Sequence, residues 1–259
     1  MKILVTGGTG LIGRRFIGRF SHHEFTVLTR DRSAAKKVLD HSVELIDSLQ
    51  GFTDLDYFDG ILNLAGEPII DRRWTASQKR KICESRWSTT QMLVELMNKG
   101  RNPPRFFLSA SAVGIYGDQG DKLINDESVV RSIDFPSDLC LHWERLANEA
   151  NEKTRCVILR TGIVLDRTGG ALSKMIFPFK SCLGGALGSG NQYMPWVHID
   201  DVTSAIDFMV NHDGVHGPIN LVSPGSVRNK DFTNTLARTL KRIAIMRVPA
   251  SLLKVLLGE

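Results

Sequence analysis

Gly7, Gly10 and Gly13 are spaced G-x-x-G-x-x-G directly after the apolar run Ile3-Leu4-Val5, in MKILVTGGTGLIGRR. Those residue types suit one chemistry above others, the cradling of a pyrophosphate by backbone amides. The first glycine permits a sharp turn, the second lets amides approach the phosphates, and the third lets a helix pack against the strand before it. Leu11 and Ile12, between the second and third glycines, belong to the same contact. Free amides in that helix's first turn, with its positive dipole end, favour an anion. Glycine spacing alone is weak, and a purely structural turn is the rival reading; here the strand before and the helix after supply the context that a dinucleotide site requires.

The end of the next strand, Phe25 to Thr29 (FTVLT), selects the cofactor. Sites for NAD place an acid there to hold the ribose hydroxyls, whereas NADP sites place arginine against the 2′-phosphate. The sequence reads Thr29-Arg30-Asp31-Arg32, so two guanidiniums flank one acid. NADP is favoured; solvated loop charges are the alternative reading of the arginines. Asp47, after a short strand at Val43 to Ile46, is expected near the adenine. A fourth strand, Gly60 to Ala65, ends in Asn63-Leu64-Ala65-Gly66, where small residues let the backbone of Leu64, Ala65 and Gly66 lie against the cofactor. The basic run from Arg72 to Arg86 reads mainly as a solvated helix face, with an anion site as its rival.

The elements that must position these groups alternate strand and helix. A helix over Gly10 to Phe20 follows the first strand. A long helix from about Thr75 to Lys99 carries Ile82, Met92, Leu93 and Leu96, and Asn102, Pro103 and Pro104 break it. Strand five is expected at Arg105 to Leu108. The next helix, capped by Ser137 or Asp138, buries Leu139, Trp143, Leu146, Ala147 and Ala150, and strand six is Cys156 to Arg160. From Gly169 to Gly190 the sequence turns glycine-rich, which predicts an irregular substrate-side lobe with a mobile loop. Trp196 to Val202 enters a helix with an aspartate cap. A late strand at Ile219 to Val222, a helix at Asn229 to Leu240 and another from Pro249 complete the pattern. This is an α/β chain with a Rossmann-type doubly wound parallel sheet and a small C-terminal substrate lobe. Residues 1–165 are expected to form mainly the nucleotide-binding domain, and 166–259 mainly the lobe, with segments returning to the sheet. The apolar end at Glu259 suggests a missing C-terminal tail.

Composition narrows the function classes. A chain of 259 residues with 42% hydrophobic and 24% charged residues is ordinary for a globular protein. No apolar run is long enough to cross a bilayer, and the first strand begins too early for a signal peptide. Cys83, Cys140, Cys156 and Cys182 form no C-x-x-C pair, so neither a metal site nor a disulfide framework is expected, and a reducing cytoplasm is the simplest compartment. The net charge of +5 is spread along the chain with few aromatics, which argues against nucleic acid.

The combination of Gly7-x-x-Gly10-x-x-Gly13, Asn63-Leu64-Ala65-Gly66, Ser111 with Tyr116, Arg160-Thr161-Gly162 and His198-Ile199-Asp200-Asp201 resembles the extended short-chain dehydrogenase/reductase superfamily. Within it, NLAGEPI at Asn63, RRWT at Arg72, SR at Ser85, RTGIVL at Arg160 and PWVHIDD at Pro195 are similar to the atypical, nucleotide-sugar-epimerase-like "epimerase family" group. The resemblance spans essentially the whole chain. It implies NADP as cofactor, touched by the Gly7 to Gly13 turn, Thr29, Arg30, Leu64, Ala65 and Arg86.

The departure from that superfamily is as informative. Ordinary members use a tyrosine as general acid/base and a lysine four residues later to lower its pKa. Four residues after Tyr57, Tyr116 and Tyr193 stand Ile61, Gly120 and Val197, so the dyad is absent. Alignment of the helix puts Cys140 and Glu144 in its places, one turn apart. A glutamate in place of lysine reverses the local electrostatics. The resemblance leaves Ser111, Tyr116 and Glu144 as candidate catalytic groups, with Cys140 as a weaker nucleophile. His142 and His198 read as structural. The expected activity is an NADP-binding oxidoreductase or epimerase-like protein acting on a small polar substrate, for which the basic helix allows an anionic one; the rival is a non-catalytic NADPH-sensing regulator.

Overall fold

The computed structural model describes residues 1–150, 152–244 and 246–249. In chain order it contains β1 (Lys2–Thr6), α1 (Leu11–Arg19), β2 (Glu24–Leu28), α2 (Arg32–Ala35), β3 (Glu44–Ile46), β4 (Gly60–Asn63), α3 (Ala76–Lys99) and β5 (Phe106–Ala112). After a 3-10 turn at Val113–Tyr116 come α4 (Phe135–Asn148), β6 (Arg155–Thr161), β7 (Ile163–Leu165), α5 (Gly170–Lys180), β8 (Gly185–Leu187), β9 (Tyr193–Met194) and β10 (Trp196–His198). The remainder is α6 (Ile199–Asn211), β11 (Gly217–Leu221), β12 (Val227–Arg228), α7 (Asn229–Thr239) and β13 (Met246–Val248).

Seven strands form one sheet in the order β11-β6-β5-β4-β1-β2-β3. All of its pairings are parallel, and the order reverses between β1 and β4. Side chains of a strand alternate between faces, so a continuous apolar run feeds two cores at once. Ile3, Val5, Phe106, Leu108, Val157 and Leu159 pack on one face with Phe16 of α1 and Val202, Ile206 and Met209 of α6. Leu4, Ile61, Phe107, Cys156 and Ile158 pack on the other with Leu93, Val94 and Met97 of α3 and Ala147 of α4. This is the expected doubly wound sheet, with helices on both faces. Small two-stranded pieces, β7 with β10, β9 with β12 and β8 with β13, build the C-terminal lobe, while β11 and α6 return to the main sheet and its core.

Several local expectations change. α4 starts earlier than expected because Asp134 accepts from Ser137 N while the Ser137 hydroxyl answers its backbone, a reciprocal cap with Pro136 in the first turn. α6 is capped by His198, whose Nδ1 accepts from Asp200 N at 3.2 Å, and not by an aspartate. Met92 lies on the exposed side of α3. The stretch expected to be irregular contains α5, which keeps Pro178 inside its last turns. The helix expected from Pro249 onward lies outside the described residues. No helix among the described residues is long and apolar enough to cross a membrane.

Candidate functional site

Strands β5, β6 and β11 lie side by side, and their register sets Ser111 opposite Arg160 and Arg160 opposite Asn220. This row sits near the carboxyl ends of the strands, where open parallel sheets bind their ligands. α4 passes over it and delivers Glu144. The Ser111 hydroxyl donates to Glu144 Oε1 at 2.6 Å. Arg160 grips the same carboxylate with two donors, Nε to Oε1 at 2.9 Å and Nη2 to Oε2 at 2.8 Å. Its Nη1 donates to the Tyr116 hydroxyl at 2.8 Å, and that hydroxyl lies 2.9 Å from Asn220 Oδ1, which can take its proton. Ser111, Tyr116, Glu144 and Arg160 are all buried. The structure therefore joins the three candidate catalytic residues through an arginine.

That arginine corrects the expected electrostatics. Glu144 is not a lone anion in place of a lysine, because the cation arrives from β6 instead of from the next turn of the helix. Burial opposes the charge on Arg160, but its hydrogen bonds to Glu144, that carboxylate's charge and the Tyr116 contact outweigh it and raise the guanidinium's pKa. Arg160 stays a cation at any working pH. Cys140, one turn before Glu144, is buried, and desolvation pushes its thiol up to about 11. It is a protonated core residue, not a nucleophile. Tyr116 points into the network, with its ring against the Arg160 guanidinium at 5.1 Å.

A second polar row lies beside the first. Asn63 ends β4, accepts from the Thr6 hydroxyl at 2.7 Å, and donates to Thr90 Oγ1 at 2.8 Å and Ser109 Oγ at 3.1 Å. Thr6 Oγ1 in turn accepts from Ala65 N at 3.1 Å, which fixes the Leu64-Ala65 backbone over the glycine turn. Gly7 has φ +66°, and a Cβ there would stand 2.4 Å from Leu64 O; at Gly13 it would stand 2.6 Å from Gly7 O. A side chain is excluded at both positions. α1 follows Gly10 at its cap position with no side-chain cap and no acid in its first turn, so among the described residues no side chain caps the amides of Leu11, Ile12 and Gly13. A cradle of bare amides is what a pyrophosphate fits.

At the end of β2, Thr29 is half-buried and Arg30 exposed. Asp31, the acid that argued for NAD, caps α2 by accepting from Ala34 N at 2.9 Å. Arg32 lies 3.8 Å from Asp47, which gives that aspartate a partner other than adenine. Of the basic run, Arg72, Arg73, Arg80 and Lys81 are exposed, as a solvated face requires, but Arg86 is buried. Its guanidinium lies over exposed Gly66, where a Cβ would meet Cζ at 2.7 Å, and Nη1 donates to Glu67 O at 3.1 Å and Ile82 O at 3.0 Å. Burial lowers its pKa. The guanidinium thus stands beside the glycine turn's neighbour loop.

The family model for the NAD dependent epimerase/dehydratase family matches residues 3–222. The chain belongs to that family. Human epimerase family protein SDR39U1 is 34% identical over 263 residues, covering 100% of this chain and 87% of its own. The crystal structure of its isoform 2 with NADPH has a TM-score of 0.91 and 33% identity, over 100% of this chain and 86% of that one. A nucleoside-diphosphate sugar epimerase from Corynebacterium glutamicum superposes with a TM-score of 0.77 at 31% identity, over 98% of this chain and 54% of that one. Against the wider epimerase/dehydratase pattern, this family member keeps the phosphate turn and lacks the Tyr-x-x-x-Lys dyad. Sequence reasoning assigned no role to Arg160 or Asn220. The signal for Arg160 was present, since a charged residue closing the buried run Cys156 to Leu159 needs a partner.

Proposed function

We propose that this epimerase/dehydratase family member is an NADP(H)-dependent oxidoreductase or epimerase-like enzyme acting on a small polar substrate. The observation that carries the reading is the Ser111–Glu144–Arg160 chain, set in the sheet edge beside an uncapped phosphate turn. The crystallised human relative with NADPH supports the cofactor, and Arg30 is the residue for its 2′-phosphate. When bound, the nicotinamide supplies a hydride donor or acceptor.

The chain's own residues supply the rest. Because the Ser111 proton is directed at Glu144, the serine oxygen faces a substrate hydroxyl as an acceptor. A proton taken from that hydroxyl by Ser111 is matched by the passage of the serine proton to Glu144, so the serine ends unchanged. Arg160 holds the carboxylate in place throughout and remains charged. Tyr116 positions Arg160 and is not itself the acid. Arg86 anchors an anionic group at the end of β4, on the cofactor or on an anionic substrate.

Parallel titrations with NADPH and NADH test the cofactor. The expected result is a preference for NADPH that falls about 10- to 100-fold in Arg30→Ala, the range for one charge-assisted hydrogen bond. A panel of nucleotide sugars, aldehydes and ketones with NADPH tests the chemistry. Turnover lost in Glu144→Gln and in Ser111→Ala supports it; turnover untouched by both overturns it. Complete internal pairing of Tyr116 and Glu144 favours one second reading, a regulator that binds NADPH without chemistry. Tight binding with no turnover on the panel is its signature, and any turnover sensitive to Glu144→Gln removes it.

A further inference from the structure

The turn between α1 and β2 lies at the opposite end of the sheet from the glycine turn, and it brings His22 and His23 against α6. The side chain of His23 is 4% exposed, and neither of its ring nitrogens has a hydrogen-bond partner among the described residues. A buried imidazole has one donor and one acceptor to satisfy, so two unmet groups in one ring call for an explanation. Nε2 points toward Asp207 Oδ1 but stops at 3.9 Å, beyond hydrogen-bond range. The His22 ring stands with its centroid 4.0 Å from that of His23. One donor atom from each of His22, His23 and Asp207 lies within 4.8 Å of the others.

We infer that His22, His23 and Asp207 form a binding site for a divalent transition-metal cation of the zinc type, with a fourth position open to water. Two imidazoles and one carboxylate are the donor set of zinc and cobalt, whereas calcium and magnesium prefer oxygen throughout. With metal–ligand bonds of about 2.0–2.1 Å, a tetrahedral ion brings its donors to about 3.4 Å apart. His22 is exposed and Asp207 half-buried on the helix surface, so these two side chains make the closing movement while His23 stays fixed in the core. The ion would clasp the exit of α1 to α6, two helices that pack on the same face of the sheet. The cysteine spacing that argued against a zinc site does not bear on it, because the ligands come from one turn and a distant helix.

The test uses the full chain freed of metal. Zn²⁺ is titrated calorimetrically, and Co²⁺ is followed by its visible absorption, which reports tetrahedral nitrogen and oxygen ligation. One ion per chain is expected, with affinity at least tenfold weaker in His22→Ala and in Asp207→Asn and unchanged in His216→Ala. Because His23 is a core position, the decision rests on the two substitutions nearer the surface, each verified as folded by circular dichroism. Absence of saturable binding of either ion, or binding that survives either substitution, overturns the site.

Discussion

Arg160 and Glu144 carry opposite charges into the interior, which is costly unless geometry and hydrogen bonds compensate. Here the pairing is bidentate, Ser111 shares the carboxylate, and Arg160 also donates to Tyr116. Removing one partner strands the other. Arg160→Met and Glu144→Met are each expected to lower unfolding free energy by about 3–5 kcal/mol in urea. The double variant should lose far less than their sum, because both charges leave together; additive losses would show that the pair is not coupled. The cysteines give a second check at this scale. Desolvation raises the thiol pKa of Cys140 to about 11 and of Cys156 to about 12, so both are protonated at neutral pH and reactivity rises only as pH approaches those values. Alkylation of the folded chain at pH 8 should label exposed Cys182 and spare Cys140 and Cys156. Fast labelling of Cys140, read by mass spectrometry, would return it to the list of nucleophiles. Ser111, Tyr116 and Glu144 were legible from motif position, but their mutual bonds were not, since those depend on which strand lies beside which.

The glycine turn shows how an element carries function through what it leaves out. Gly7 adopts φ +66° under the carbonyl of Leu64, so Gly7→Ala adds both backbone strain and a clash at 2.4 Å. It should lose about 1 kcal/mol or more of stability and abolish nucleotide binding. Gly18, in the last turn of α1, meets nothing within 4 Å among the described residues where a Cβ would stand. Gly18→Ala should gain about 0.5–1 kcal/mol from helix propensity and leave binding intact. Opposite signs in thermal unfolding of the two variants check the argument; equal signs refute it. α1, α3 and the sheet strands were readable because periodicity and glycine placement act over a few residues. α5 was not, because glycines at its start and Pro178 within it resemble loop composition. The caps of α4 and α6 shifted for a related reason, since several neighbouring residues can cap and backbone geometry chooses among them.

At the scale of the molecule, one sheet supports two cores. Phe16 anchors one face and Phe107 the other, and both are fully buried. Phe16→Ala and Phe107→Ala should each cost about 3–5 kcal/mol. Because strands such as β1 and β5 place alternate residues in both cores, neither can melt alone. Tryptophan fluorescence and far-ultraviolet circular dichroism should therefore report one coincident transition in either variant. Separate transitions would mean that the faces unfold independently.

By itself the amino-acid order determined the parallel, doubly wound sheet, the phosphate turn and the absence of the usual tyrosine–lysine pair. Each of these is written in residues adjacent or nearly adjacent in the chain, where sterics and hydrophobic period act directly. Only the tertiary structure decided that Glu144 is neutralised by Arg160, that Asp31 serves a helix rather than a ribose, and that His22 and His23 meet Asp207. Those facts belong to contacts between separate elements. Strand order and register create them, and no local pattern encodes a register.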